Sequence, residues 1–217
     1  MRYAAFNWYA RGSRLARLAS GTLPLVCLAL LTGSAAAQRS EYEADVRRLA
    51  PAVDLRPGQT IADIGAGGGE LAFALAREVG TAGRVYATEI DEDRLKRLRE
   101  RAAGDALANV TVVDGHATRT NLPAASCDVI VVRNVYHHFE SPEAMNRSLF
   151  ESLKPGGRLA IIDFRPRGPT AEPSARDGGN HGVDPDTVVR ELTAAGFERV
   201  SLDGTGGRTF MAVFRRP

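Results

Sequence analysis

A glycine-rich turn that carries one carboxylate is the segment of the chain best suited to bind a ligand. It spans residues 63–69, with the sequence DIGAGGG, and follows the apolar residues of a predicted strand. Glycine permits a tight turn and lets a ligand approach the backbone closely. The first N–H groups of the helix predicted next would attract negative charge. The segment therefore predicts a nucleotide or nucleoside site, although such a turn can also be a simple strand-to-helix connection.

A second carboxylate sharpens this prediction. Glu89 ends the next predicted strand, 20 residues after Gly69, where an acid commonly accepts hydrogen bonds from ribose hydroxyls. Both a nicotinamide dinucleotide and S-adenosylmethionine fit this spacing. Dinucleotide sites favour G-x-G-x-x-G, whereas Gly65, Gly67 and Gly69 give G-x-G-x-G. Asp63 would attract the cationic methionine end of S-adenosylmethionine and repel a pyrophosphate. The pattern favours S-adenosylmethionine.

Polar and aromatic side chains follow the fourth predicted strand. The segment 133–139 reads RNVYHHF, and its candidate catalytic residues are Asn134, Tyr136, His137 and His138. In an open parallel sheet, ligands bind beyond the carboxyl ends of the strands. A histidine there could accept a proton from a methyl acceptor near neutral pH. Alternation along the chain predicts that only one of the two histidines faces the site. The alternative is that both only cap or pack the following loop.

Other candidate ligand residues are scattered. His116 could join His137 or His138 at a metal, but the spacing matches no dedicated ligand pattern, and Cys127 begins a predicted buried strand. We therefore predict no metal site. His181 lies in a long loop and is interpreted as a solvated side chain.

The elements that must position these residues alternate between strand and helix, which predicts an α/β fold with a mostly parallel sheet. Near-continuous apolar runs indicate strands covered on both faces. A leading helix is expected over Ser40–Leu49, and a long loop over Arg165–Gly182. The predicted strands are Thr60–Ile64, Arg84–Glu89, Val110–Val113, Asp128–Val132, Arg158–Phe164, Phe197–Leu202 and Thr209–Phe214.

The first 37 residues are predicted to be a signal peptide. They combine four arginines and no acid with a short apolar run, 23–31, and the small residues of an A-x-A site before Gln38. The apolar run is about half of the roughly 20 residues that span a membrane. We therefore expect cleavage between Ala37 and Gln38, no stable membrane insertion afterwards, and export to the periplasm. If the leader does not function, the protein stays in the cytoplasm.

Removing the leader changes the charge balance. The whole chain has 28 Lys and Arg against 26 Asp and Glu, and residues 38–217 keep 24 against 26, a net charge of −2. This part of the chain shows no basic excess of the kind that nucleic-acid-binding domains carry. We therefore predict a small-molecule partner and no nucleic acid. Nothing in the sequence indicates an oligomeric state.

Together these motifs resemble the class I S-adenosylmethionine-dependent methyltransferases of the small-molecule type. The resemblance runs from about Val53 to the C-terminus and rests on the glycine-rich turn, on Glu89 and on the segment LKPGGRL at residues 153–159. It implies a Rossmann-like, doubly wound sheet of seven strands, mostly parallel with the last strand antiparallel, in a domain over residues 38–217. It also implies a set of cofactor contacts: Asp63, Gly65, Ala66, Gly67, Gly69, Glu89, Ile90, His116 and Asn134.

One position departs from the family pattern. Gly-Asp-Ala commonly follows the third strand, with the Asp holding the adenine amine, but here the chain reads Gly115-His116-Ala117. His116 or the nearby Asp114 would take over this contact, or packing alone holds the adenine. The expected function is methyl transfer from S-adenosylmethionine to an unidentified small molecule. The alternatives are a non-catalytic nucleoside-binding domain and, less favoured, an NAD-dependent oxidoreductase.

Overall fold

A computed structural model describes residues 41–104, 108–166, 182–204 and 207–217. The predicted leader, His181 and most of the predicted loop 165–182 lie outside the described residues. Within the described ranges, no helix is both long enough and apolar enough to cross a membrane.

Strands and helices alternate through most of the chain. The strands are β1 (Thr60–Ile64), β2 (Arg84–Glu89), β3 (Val110–Asp114), β4 (Cys127–Arg133), β5 (Leu153–Phe164), β6 (Glu198–Asp203) and β7 (Thr209–Arg215). The helices are α1 (41–53), α2 (Glu70–Val79), α3 (Glu92–Gly104), α4 (Pro142–Ser152) and α5 (Pro185–Ala194), with a single 3-10 turn at Tyr136–His138.

The seven strands form one sheet in the order β3-β2-β1-β4-β5-β7-β6. Neighbouring strands from β3 to β5 run parallel, whereas β7 is antiparallel to both β5 and β6. The predicted Rossmann-like sheet of seven strands with the last strand antiparallel is therefore confirmed. Chain order reverses between β1 and β4, and the crevice beyond the carboxyl ends of these two strands is where an open α/β sheet binds ligands.

Apolar side chains on the two faces of the sheet form two cores. Helices α1, α2 and α3 cover the first core, which includes Leu49, Leu75 and Leu98. Helices α4 and α5 cover the second, which includes Leu149 and Leu192. Because successive side chains of a strand point to opposite faces, neighbouring strand residues belong to different cores. This alternation decides which face receives each polar residue at the strand ends.

Two element bounds differ from the sequence prediction by more than one residue. Strand β5 begins at Leu153 rather than at Arg158, because Leu153 pairs with Cys127 before the register shifts. The Pro-Gly-Gly segment thus lies within the strand as an irregularity, and Gly156 has φ +80°. Helix α1 continues to residue 53, since Val53 is buried in the first core.

A matched pair of glycine variants tests the packing beneath the glycine-rich turn. Gly58 and Gly69 share φ +85°, so alanine costs each about 1–2 kcal/mol of backbone strain. A Cβ at Gly69 would lie 2.5 Å from side-chain atoms of Leu98 and Phe73, whereas one at Gly58 meets nothing within 4 Å. We expect Gly69→Ala to lower the free energy of unfolding by about 1–3 kcal/mol more than Gly58→Ala, measured by denaturant titration. Equal losses would contradict the packing role of Gly69.

Candidate active site

The glycine-rich turn connects β1 to α2 through three left-handed residues. Gly65, Gly67 and Gly69 have φ values of +73°, +56° and +85°, which L side chains rarely adopt. A Cβ at Gly65 would lie 2.6 Å from the Val135 side chain, whereas one at Gly67 would meet nothing within 4 Å. The backbone at Gly67 therefore borders open space, whereas a side chain at Gly65 or Gly69 would clash with neighbouring side chains.

Glu89 binds the two sides of the crevice together. Its Oε2 accepts a hydrogen bond from the Gly67 N–H at 2.9 Å, and its Oε1 accepts from the N–H groups of Ile90 (2.8 Å) and Asp91 (3.1 Å). The residue is only 4% exposed. A carboxylate has about four lone-pair sites, so three bonds leave capacity for one more donor. A ribose hydroxyl could supply that donor.

A cavity of about 350 Å³ opens beside Glu89. Ile90 also lines it and is 64% exposed, which is unusual for a large apolar side chain. The remaining wall comes from the ends of the strands and the loops that follow β3 and β4. From the predicted site it includes Gly65, Glu89, Ile90, His116 and His138. An apolar face exposed inside a concave site is typical of a ligand-binding wall.

Position 116 carries His where the family pattern has Asp. His116 lines the cavity with Ala117, and its Nδ1 lies 3.1 Å from the Thr118 hydroxyl. Asp114 instead pairs with Arg99 on the surface and does not line the cavity. Of the two residues considered for the adenine contact, only His116 borders the cavity.

Asp63 is a buried carboxyl group on the α2 side of the sheet. It is 2% exposed, and its Oδ2 has no hydrogen-bond partner among the described residues. The pKa of Asp63 is raised to about 7, mainly because the group is buried and also because the carboxylates of Glu70 and Glu89 lie nearby. The Arg133 guanidinium and the Ala72 N–H oppose this increase. The site therefore holds an acid whose charge would be stabilised by a cationic ligand.

The two histidines after β4 have different surroundings. His137 is 5% exposed, and its Nδ1 lies 2.7 Å from Oδ1 of the fully buried Asp163 at the end of β5. The His137 N–H also donates to Asp163 Oδ2 at 3.1 Å. His138 is exposed and lines the cavity. His138 therefore borders the cavity and His137 does not, and which of the two acts in methyl transfer stays a prediction.

Tyr136 and Asn134 occupy positions of another kind. Tyr136 is fully buried in the second core, where its hydroxyl donates to Glu191 Oε2 at 2.9 Å and accepts from Asn146 at 2.8 Å. This placement gives no support to its predicted catalytic role. Asn134 has φ +56°, and its Oδ1 is buried with no hydrogen-bond partner among the described residues. A left-handed residue with an unsatisfied oxygen is typical of a functional site.

Two polar residues of this region had no role in the sequence analysis. Asp163 follows the apolar run of β5, and Arg133 ends β4. An isolated charge at the carboxyl end of a buried strand was the available signal. Their partners lie 26 residues away for Asp163 and 88 and 92 residues away for Arg133, so the sequence did not indicate the pairing.

Comparison with known proteins agrees with this geometry. A family described as "Methyltransferase domain" matches residues 62–161, which contain the glycine-rich turn, Glu89 and both histidines. Residues 62–161 therefore belong to a methyltransferase domain, which agrees with the predicted resemblance to the class I S-adenosylmethionine-dependent methyltransferases. The cofactor of this domain family is S-adenosylmethionine, as the sequence predicted.

A curated relative narrows the similarity without assigning a substrate. The ubiquinone/menaquinone biosynthesis C-methyltransferase UbiE of Salmonella arizonae is 33% identical over 111 residues. The matched segment covers 51% of this chain and 44% of the relative. The chain therefore aligns with less than half of the length of this methyltransferase.

Solved structures share the fold. An S-adenosylmethionine-dependent methyltransferase from Aquifex aeolicus superimposes with a TM-score of 0.69 at 24% identity, over 80% of this chain and 90% of that one. The [4+2]-cyclase SpnF superimposes with a TM-score of 0.72 at 17% identity, over 81% of each chain. The methyltransferase fold thus also occurs in a protein named for a cyclisation, and the reaction must be argued from the site.

Metal chemistry receives no support within the methyltransferase domain. No group of three or more His, Cys, Asp or Glu side chains that could hold an ion occurs in the part of the chain that the structure describes. Cys127 is buried there as a free thiol. The absence of a metal site stays a prediction from the sequence.

The titration of Asp63 has a measurable effect on stability. Its raised pKa means that the folded state binds the proton more tightly than the unfolded state, so ionisation destabilises the fold between about pH 4 and pH 7. We compare the free energy of unfolding of Asp63→Asn with that of the natural protein at pH 5 and at pH 8. The difference should shift in favour of the variant by about 2–3 kcal/mol from pH 5 to pH 8. Denaturant titrations at both pH values measure this difference. Glu143→Gln, at an exposed ion pair, is the control and should show no such change; parallel behaviour of Asp63→Asn would contradict the prediction.

Proposed function

We propose that this protein transfers a methyl group from S-adenosylmethionine to a small-molecule acceptor. The observation that carries the proposal is the Glu89 carboxylate, which bridges the glycine-rich turn and the end of β2 beside the exposed face of Ile90. This arrangement fits a ribose on Glu89 and an adenine against Ile90 and His116. The net charge of −2 for residues 38–217 favours a small acceptor over a nucleic acid.

Asp63 supports this donor over a nicotinamide dinucleotide. A buried carboxyl group with an unsatisfied oxygen beside the glycine-rich turn would repel a pyrophosphate, whereas the ammonium and sulfonium of S-adenosylmethionine are cationic. A bound cation would also favour ionisation of Asp63 and thereby compensate for its burial. NAD is therefore the less favourable ligand.

We propose His137, which Asp163 holds at the ends of β4 and β5, as the proton acceptor. With its Nδ1–H donating to Asp163, the imidazole presents Nε2 as its basic nitrogen. As the acceptor atom forms its bond to the methyl carbon, the carbon–sulfur bond breaks and S-adenosylhomocysteine leaves. The proton that the acceptor loses would pass to His137 Nε2. Holding the two reactants in line supplies much of the remaining acceleration.

Donor binding tests the proposal directly. We expect titration calorimetry to detect S-adenosylhomocysteine binding and no NAD binding. Gly67→Ala should weaken binding, because its new methyl group enters the open space beside the turn, and Gly67→Val should abolish it. Gly58→Ala has a comparable left-handed strain far from the turn and serves as the control. Glu89→Ala should cost about 1–3 kcal/mol of binding free energy. Unchanged affinity in the folded Gly67→Val and Glu89→Ala variants would refute the donor assignment.

The histidines separate chemistry from donor binding. In a labelled-donor assay with a panel of small acceptors, His137→Ala should lower turnover by about 10²–10⁴, the usual contribution of a general base. Asp163→Asn should act in the same direction because it loses the carboxylate that orients the ring. Donor affinity should stay nearly constant in both. His138→Ala should affect donor affinity instead, since His138 lines the nucleoside cavity. Full turnover in His137→Ala would leave that histidine a structural role.

We also propose that the protein is exported and processed between Ala37 and Gln38. The support is the arginine-rich start, the apolar run 23–31 and the small residues before Gln38. Mass spectrometry of protein isolated from its native host should show an N-terminus at or near Gln38. Intact Met1 in a cytoplasmic fraction would contradict export.

A further inference from the structure

Helix α1 is attached to the carboxyl edge of the sheet by one guanidinium group. Arg133 Nε donates to Asp45 Oδ2 and Arg133 Nη2 donates to Glu41 Oε1, both at 2.6 Å. The guanidinium also lies over the Tyr42 ring, 4.3 Å from its centroid. The side chains of Arg133 and Asp45 are only 11% and 12% exposed. The interaction of a shielded cation that makes several hydrogen bonds is much stronger than that of a surface ion pair.

This contact lies next to the glycine-rich turn. Arg133 shares the strand face of Val129 and Val131, which belong to the core covered by α1 and α2. Tyr42 of α1 and Ala66 of the glycine-rich turn both pack against this core. Burial raises the pKa of Tyr42, Arg133 opposes the increase, and Glu70, Glu41 and Asp63 add to it. Tyr42 therefore lies within electrostatic reach of Asp63 and Glu70.

We propose that Arg133 is a positioning residue for the methyl donor: it holds the first turns of α1, with Tyr42, over the methionine end of the site. The inference rests on the proposed donor site. It assigns to α1 a part in binding that the matched region, residues 62–161, does not contain. Nucleoside binding alone does not require α1, because the residues that line the cavity beside Glu89 all lie outside it.

The same cation influences the charge of Asp63. The charged and titratable groups that face Asp63 are Arg133 from β4, Glu70 from α2, Glu89 from β2 and Tyr42 from α1. Arg133 is the one cation among these groups, so it favours the ionised carboxylate that a cationic ligand needs. Removing Arg133 should therefore move the pH dependence of donor binding upward, which a purely structural role would not do.

Two probes separate the methionine end from the nucleoside end. S-adenosylhomocysteine has the amino-acid moiety, and 5′-methylthioadenosine lacks it. We expect Arg133→Met to weaken S-adenosylhomocysteine binding by about tenfold and to change 5′-methylthioadenosine binding by less than about twofold. The midpoint of S-adenosylhomocysteine affinity against pH should rise. Asp45→Asn, a milder change, should give a smaller loss with the same selectivity, and Arg133→Lys should restore part of the affinity because it keeps the charge.

Arg147→Met, at an exposed ion pair on α4, is the matched control and should bind both probes normally. A double variant, Arg133→Met with Asp45→Asn, should bind S-adenosylhomocysteine as tightly as Arg133→Met alone, since the two changes break the same contact. Equal effects on the two probes, or none on either in both Arg133→Met and Asp45→Asn, would overturn the positioning role. If the natural protein binds 5′-methylthioadenosine but not S-adenosylhomocysteine, this inference fails while a nucleoside site remains. If it binds neither probe, the proposed function itself fails.

Discussion

The site depends on one carboxylate that satisfies three backbone N–H groups. The turn with three left-handed glycines borders the crevice, and hydrogen bonds from its N–H groups to the end of β2 hold it in place. Glu89 accepts from Gly67 on one side of that crevice and from Ile90 and Asp91 on the other. Because hydrogen bonds to a charged, shielded group are stronger than neutral ones, the turn is organised before any ligand binds.

Strand alternation divides the carboxyl edge between two tasks. Asp63 and Arg133 fall on the face covered by α1 and α2, where we propose that they form the charged end of the donor site. Asp163 falls on the opposite face, where it holds His137 after β4. Each polar group lies at the end of a strand whose inner residues are apolar. The buried strands thus provide a rigid base for a reaction that requires two molecules to be aligned.

The buried Asp63 explains why the site should prefer a cationic ligand. The carboxylates of Glu70 and Glu89 lie close enough to Asp63 to raise its pKa, with Arg133 in opposition. Burying the Asp63 carboxylate with one oxygen unpartnered is costly, and a ligand that supplies positive charge would recover that cost on binding. The same argument disfavours a pyrophosphate. It is an argument from the residues of this chain, which is needed because related folds include a cyclase as well as methyltransferases.

The sequence alone determined the α/β class and the order of the strands along the chain, and it predicted the candidate ligand-binding segment. These features depend on local patterns: apolar runs of strand length, glycines at fixed offsets and an acid 20 residues further on. It also indicated His116 at an unusual position and the importance of the segment after β4. Six of the seven predicted strands agree with the structure within one residue at each end, because hydrophobic runs mark buried strands directly.

Only the tertiary structure decided which of these residues act together. The pairing of His137 with Asp163 and of Arg133 with Glu41 and Asp45 joins residues 26 to 92 positions apart, and no local pattern specifies such pairs. Likewise, the sequence groups Tyr136 with the histidines that follow it, but in the structure its hydroxyl is hydrogen-bonded to Glu191 and Asn146. The start of β5 at Leu153 was not predicted either, because Pro and Gly are uncommon within strands and the pairing of Leu153 with Cys127 is a tertiary contact. Sequence patterns report periodicity along one chain, whereas these contacts depend on how the sheet brings strand ends and helices together.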